Sequence, residues 1–220
     1  MRTSPFWHNR LHQGLLGWYL LLWIALAISP VNRHDWLLEN LLTFLTVALL
    51  IATYRRFPFS DLSYILITIF MSLHAIGAHY TYEQVPLGFW LKDALELNRN
   101  HFDRIVHFAF GLLLAYPIRE LFVRTAHVRG SWTYIIPVVI LLALSGFFEI
   151  IEAWVAQIVS PELGDAYLGT QGDIWDAQKD MTVAFSGAVI SMGAAAIWSG
   201  RRRGRAAARE GQRRRILPPL

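Results

Sequence analysis

The stretch Trp132–Ala156 reads WTYIIPVVILLALSGFFEIIEAWVA, and it decides the fold. At a helical rise of about 1.5 Å per residue it is long enough to cross a hydrocarbon core of about 30 Å. Its only charged residues are Glu149 and Glu152, three apart near one end. Glu149 lies about 26 Å along the helix from Trp132, close to the far edge of that core. Acids inside such a segment are costly, so they are by default a hypothesis of function.

Five further apolar runs flank this one: Gly14–Ser29, Trp36–Tyr54, Leu62–Tyr80, Phe102–Leu121 and Asp180–Ser199. The expected class is all-α, a polytopic membrane protein of six transmembrane helices. Residues 1–200 are expected to form one domain, and 201–220 a disordered basic cytoplasmic tail. Composition agrees, with 55% hydrophobic and 16% charged residues, against about 25% charged in soluble domains. The net charge of +4 does not point to nucleic acid. Eight of the 20 Lys and Arg lie between Arg201 and Arg215, as in a lipid-facing or solvated segment. With no Cys, disulfide and thiol chemistry are excluded.

Lys and Arg set the orientation. Fifteen fall in the loops and tail on one side, and five (Arg33, Lys92, Arg99, Arg104 and Lys179) on the other. The positive-inside rule then places both termini in the cytoplasm. The acids show the reverse bias, since only Asp61, Glu120 and Glu210 are inside. Acids contribute little to orientation, so their asymmetry needs another cause, and a site on the outer, periplasmic face supplies one. A rival reading takes Arg2, Arg10 and the first apolar run as a signal peptide cleaved near Ala25-Leu26-Ala27. The bulk of Trp18, Tyr19 and Trp23 disfavours it. The long outer loop Thr81–His101 mixes apolar and charged residues and is expected to hold an interfacial helix. The loop Gln157–Lys179, with Pro161, Gly164, Gly169 and Gly172, is expected to turn. Trp36, Trp90, Trp132 and Trp154 are expected as interfacial anchors.

The candidate site gathers at the outer ends of four spans. Asp103 and His107 share a helix face. Glu149 and Glu152 do the same on the next span, and Asp173, Asp176 and Asp180 lead into the last. His79 ends the third span, and Asp35 and Glu39 lie at the same edge of the second. His74 sits deeper and reads as a helix–helix hydrogen-bond partner. His8, His12, His34 and His127 read as solvated flanks. Leaving Asp35 and Glu39 aside, the six acids of this set from Asp103 to Asp180 face few cations, so a metal, bound protons or water must offset the surplus. Carboxylates with imidazole suit Zn, Mg, Mn, Ca or Fe, although no spacing matches a zinc motif such as HExxH. The metal ligands expected are His79, His107, Glu149, Glu152, Asp176 and Asp180. Asp103, His107, Glu149 and Asp176 are the catalytic candidates, and Arg104 and Lys179 would bind an anion or balance charge. A second chemistry needs no metal: neighbouring carboxyls in a low-dielectric site can hold a proton and act as general acid or relay.

Several motifs carry a resemblance. Gly77-Ala78-His79-Tyr80-Thr81-Tyr82, Asn100-His101-Phe102-Asp103-Arg104-Ile105-Val106-His107-Phe108, Phe148-Glu149-Ile150-Ile151-Glu152 and the run Asp165–Asp176, ending in Asp180-Met181, resemble the YjdF-like bacterial inner-membrane proteins. The resemblance covers most of the chain in order and leaves out the Arg-rich tail. It implies fold and location, and no established activity. A weaker similarity runs to VanZ-like proteins through Asp103-Arg104-x-x-His107-Phe108, a Glu at the outer end of the next span and spaced Asp before the last. That group is associated with resistance to glycopeptide antibiotics, but Glu152 and Asp180 depart from its pattern.

The function expected is an inner-membrane protein with an outward His/Asp/Glu site, a metal-assisted enzyme acting on a lipid or cell-envelope precursor. Two alternatives stay open: a proton- or ion-coupled transporter, and a non-enzymatic partner of an envelope enzyme. The expected surroundings are a lipid bilayer and a lipid or lipid-linked substrate, without nucleic acid.

Overall fold

A backbone surrounded by hydrocarbon must satisfy its own hydrogen bonds, so long apolar runs become helices. The computed structural model describes residues 6–216, the side chains of Ala166 and of residues 203–216 excepted. Among the described residues every regular element is helical. A short 3-10 turn, Phe6–His8, precedes α1 (Arg10–Ala27), α2 (Arg33–Tyr54) and α3 (Asp61–His79). Then come α4 (Pro86–Ala94), α5 (Phe102–Thr125), α6 (Trp132–Ile158), α7 (Pro161–Leu168) and α8 (Asp176–Ile216). Among the described residues, five helices are long and apolar enough to cross a membrane: α2, α3, α5, α6 and α8 as far as Arg202.

Helix α5 is central, packing against α3, α6 and most extensively α8. The α5–α8 crossing is built on glycine. A Cβ on Gly111 would collide with the Ala184 carbonyl, and one on Gly187 with the Phe108 carbonyl. Small residues let two membrane helices approach backbone to backbone. Helix α2 stands to one side, packed against α3 and α7.

Helix α1 runs beside α3 along its whole length. Near one end His12 Nε2 meets Asp61 Oδ1 at 2.9 Å, and His12 Nδ1 meets the Tyr54 hydroxyl at 2.8 Å. Midway the Trp18 indole donates to Ser72 Oγ at 3.2 Å. At the other end His79 Nδ1 donates to the Leu26 carbonyl at 2.7 Å.

Three expectations are corrected. His12 is buried, because Tyr54 and Asp61 take both ring nitrogens. Trp36 is buried too: its ring packs against Trp23 at 5.5 Å, with Arg33 over it at 5.1 Å. Part of the loop expected to turn is the helix α7, which Ser160 caps through the Leu163 N–H. Helix α8 starts at Asp176 and its backbone is helical to Ile216, through the Arg-rich stretch from residue 201, while residues 217–220 of the expected tail lie outside the described residues. That stretch is rich in Ala and Arg, both strong helix formers.

Candidate functional site

The start of α5 is fixed before its functional side chains are placed. Buried Asn100 accepts the Phe102 N–H on Oδ1 at 3.0 Å and donates from Nδ2 to the Val85 carbonyl at 3.0 Å. Its side chain fills the space above Gly88. Asp103 and His107 then follow one turn apart.

His107 Nε2 lies 3.5 Å from Asp103 Oδ1 and 3.8 Å from Glu149 Oε1 of α6. Asp180 comes in from α8. One ligand atom each from Asp103, His107 and Asp180 can be chosen so that all lie within 4.8 Å of one another. Donors about 2.0–2.6 Å from a shared cation are separated by at most about 5 Å, so this spacing fits a single ion. Glu149 Oε1 is buried and has no hydrogen-bond partner.

Beside this group stands an ion-pair network. Arg104 Nη2 donates to Asp176 Oδ1 at 2.5 Å and to Asp173 Oδ2 at 3.0 Å, and its Nε lies 3.1 Å from Asp180 Oδ1. Arg99 donates to Asp176 Oδ1 at 2.6 Å and to the Thr170 and Gly169 carbonyls at 2.7 and 3.2 Å. Lys179 meets Asp173 Oδ2 at 2.6 Å. Gln171 exchanges two hydrogen bonds with the Asn100 backbone, at 3.1 and 2.9 Å. The segment between α7 and α8 is thereby latched onto the start of α5. The Lys179 ammonium holds the Asp173 carboxyl at about 2, below its ordinary 3.8, with help from the Trp175 N–H and Arg104. Burial, then Arg99 and Arg104, lowers the His101 imidazole.

The acids therefore divide into two sets. Asp173 and Asp176 are held by guanidinium and ammonium groups. Among the described residues, Asp103, Glu149, Glu152, Asp35 and Glu39 have no Lys or Arg ion pair. Asp180 belongs to both sets. His79 is turned to α1 by its bond to Leu26 and stands outside the Asp103–His107–Asp180 group.

Below the group runs a cavity of about 820 Å³, within the range of small-molecule sites. Asp35, Glu39, Asp103, His107 and Glu152 line the end nearest this group, and the rest of the lining is mostly apolar, with Thr46, Thr53, Thr125 and Ser145 among it. His74 bridges elements there, accepting from the Tyr82 hydroxyl at 2.5 Å and donating to the Glu39 carbonyl at 3.2 Å. Tyr82 and Tyr167 also line the cavity, and burial raises both phenols. Tyr167 sits on α7, which packs against α6 and α2. Sequence reasoning did not single out Tyr82, Tyr167, Asn100 or Gln171. Their motif stretches gave a signal, but no periodic pattern aims a loop side chain.

The fold and site define a polytopic helical membrane protein with an acid-rich pocket at one end of its bundle. Residues 11–201 match the family model described as "Predicted membrane protein (DUF2238)". The chain is 38% identical over 177 residues to the inner membrane protein YjdF of Escherichia coli strain K12, covering 79% of this chain and 84% of the relative. The chain belongs to this family of membrane proteins. No solved structure matches it.

Proposed function

We propose that this chain is a six-span protein of the bacterial inner membrane that binds a divalent cation on its periplasmic side and uses it on a lipid or envelope precursor. The carrying observation is the meeting of Asp103, His107 and Asp180 within 4.8 Å, beside Glu149 and with no fixed cation on Asp103 or Glu149. Asp103, His107 and Asp180 would hold the ion. Glu149 would be a fourth ligand or a base, and Glu152 would face substrate from the cavity wall. Asp176 would keep Arg104 in place, and Lys179 would balance Asp173. An imidazole among carboxylates favours Zn, Mn or Fe over Mg or Ca. Such an ion would supply Lewis-acid polarisation of a substrate oxygen.

The sixth span is α1, supported by its contacts with α3 from His12 to Leu26. These contacts also favour its retention over cleavage as a signal peptide. Orientation rests on the Lys and Arg bias, and location on the inner-membrane relative. Helix α4 would lie in the interface, with Leu87, Phe89 and Trp90 exposed to lipid. The similarity to VanZ-like proteins keeps an envelope precursor in view. Coupled transport finds less support, because no Asp, Glu, Lys or Arg among the described residues lines the apolar length of the cavity beyond the acids at its polar end.

The test is metal-dependent stability. Adding Zn or Mn to chelator-treated protein is expected to raise the melting point, by about 2.7 kcal/mol of stability at a hundredfold excess over Kd. His107→Ala is expected to abolish the rise. An equal rise in that variant would refute the assignment. The chain has no Cys, so single cysteines test orientation. One at Glu162 should react with an impermeant maleimide in intact spheroplasts, and one at His127 only after lysis.

A further inference from the structure

A second pair of carboxyls sits at the rim of the cavity, on the wall opposite α5. Asp35 and Glu39 are one turn apart on α2, and both line the cavity. They are 1% and 4% exposed, and Asp35 Oδ1 and Glu39 Oε2 have no hydrogen-bond partner. Among the described residues, no Lys or Arg lines the cavity. Unpaired buried acceptors of this kind are costly unless a ligand supplies donors and positive charge.

The rest of the cavity suits hydrocarbon. From Glu39 to Thr53 it follows α2 for about 21 Å, past Leu42, Leu45 and Leu49 on one side and Phe110 and Leu114 on another. Leu45 and Phe147 both line it, yet are 57% and 54% exposed. The cavity thus opens sideways between α2 and α6, where the acyl chains of a bilayer would lie. Tyr167 and Gly169 cover the polar end. A ligand shaped to this space enters from the bilayer, lays a tail along α2 and leaves its head at the carboxyl rim. A primary ammonium offers three N–H donors and one charge. A quaternary ammonium offers the charge without donors, and an anionic head would face the carboxylates.

We infer that Asp35 and Glu39 bind the primary ammonium of an aminophospholipid whose tail occupies the cavity between α2, α3, α5 and α6. This deepens the proposed function by naming the lipid class, and rests on that reading only for the outward position of the rim.

The experiment uses phosphatidylethanolamine carrying a diazirine in one acyl chain, cross-linked to the full chain in mild detergent and mapped by peptide mass spectrometry. Label is expected on α2 and α6, at positions such as Leu45 and Phe147. Unlabelled phosphatidylethanolamine should compete roughly tenfold better than phosphatidylglycerol or phosphatidylcholine, as loss of a charge-assisted hydrogen bond implies. Asp35→Asn with Glu39→Gln should remove that preference while tail labelling persists. Leu45→Trp should block the tail itself. Equal competition by the three lipids in the wild-type chain, or equal labelling of Leu21 and Ile24 on α1, would overturn the inference. A parallel run in EDTA separates the two claims. Selective labelling with no metal bound keeps the lipid assignment and removes the metal. Metal binding with unselective labelling does the reverse.

Discussion

Arg104 reaches three carboxylates with one guanidinium, and that geometry explains why Asp176 and Asp180 can share so small a space. Arg104→Gln is expected to lower stability by about 3 kcal/mol, because breaking a buried pair strands the remaining charges. Arg104→Lys should recover only part of that, since an ammonium lacks the planar fork. Thermal unfolding in detergent checks both. Tyr82→Phe leaves His74 Nδ1 without its donor and is expected to cost about 1–3 kcal/mol. At this scale the sequence was legible where spacing along one helix carried the information. Asp103 and His107 share a face because they are four apart, and depth arithmetic brings Glu149 level with them. His79 was equally well placed by depth, yet it points to α1. Depth does not fix the rotation of a helix, and rotation decides which neighbour a side chain meets. The burial of Trp36 and His12 turns on the same rotation.

Helices α5 and α8 form the rigid part of the site, and their contact depends on two positions having no side chain. Gly187→Val is expected to push the helices apart at the Phe108 carbonyl, with a loss of about 1–3 kcal/mol. Reduced metal affinity should accompany the loss, because Asp180 would move away from His107. The latch from α7 to α8 makes a different prediction. The folded Asp173 carboxyl sits at about 2, below its ordinary 3.8. A depressed carboxylate stabilises the fold above its unfolded value, and loses that contribution as pH falls through the folded one. The melting-point difference between the wild type and Lys179→Met should stay constant from about pH 8 to 5 and shrink below about pH 4. The apolar runs lie within a few residues of α1, α2, α3, α5, α6 and the span Asp176–Arg202 of α8, because length and hydropathy decide spanning segments, but they do not show that α8 continues to Ile216. Helix α7 is not evident from the sequence, because Pro161 and Gly169 are residues that also favour turns. They punctuate a short helix instead: Pro161 occupies its first turn and Gly169, at φ 56°, its C-terminal cap. The pattern Ser160-Pro161 followed by Gly169 was the available signal.

Across the whole molecule, charge is segregated by side, and on one side again by partner. Guanidinium and ammonium groups neutralise the acids of the latch, while among the described residues the acids facing the cavity have the imidazoles of His74 and His107 but no Lys or Arg beside them. The excess of acids at one edge was visible in the sequence. The division between paired and unpaired acids was not, because it depends on which loop Arg99 and Arg104 reach. The cavity was invisible too, since it arises from α2 standing off from α5 and α6. These features together make a cation at Asp103, His107 and Asp180 the central claim. It is tested most directly by the elemental content of the full chain purified in mild detergent without chelators, beside Asp103→Asn and Asp176→Asn. The account predicts near-stoichiometric transition metal in the wild type, its loss in Asp103→Asn, and its retention in Asp176→Asn, where only the arginine network is disturbed. Folded wild-type protein with no metal above background, or equal metal in Asp103→Asn, would contradict it.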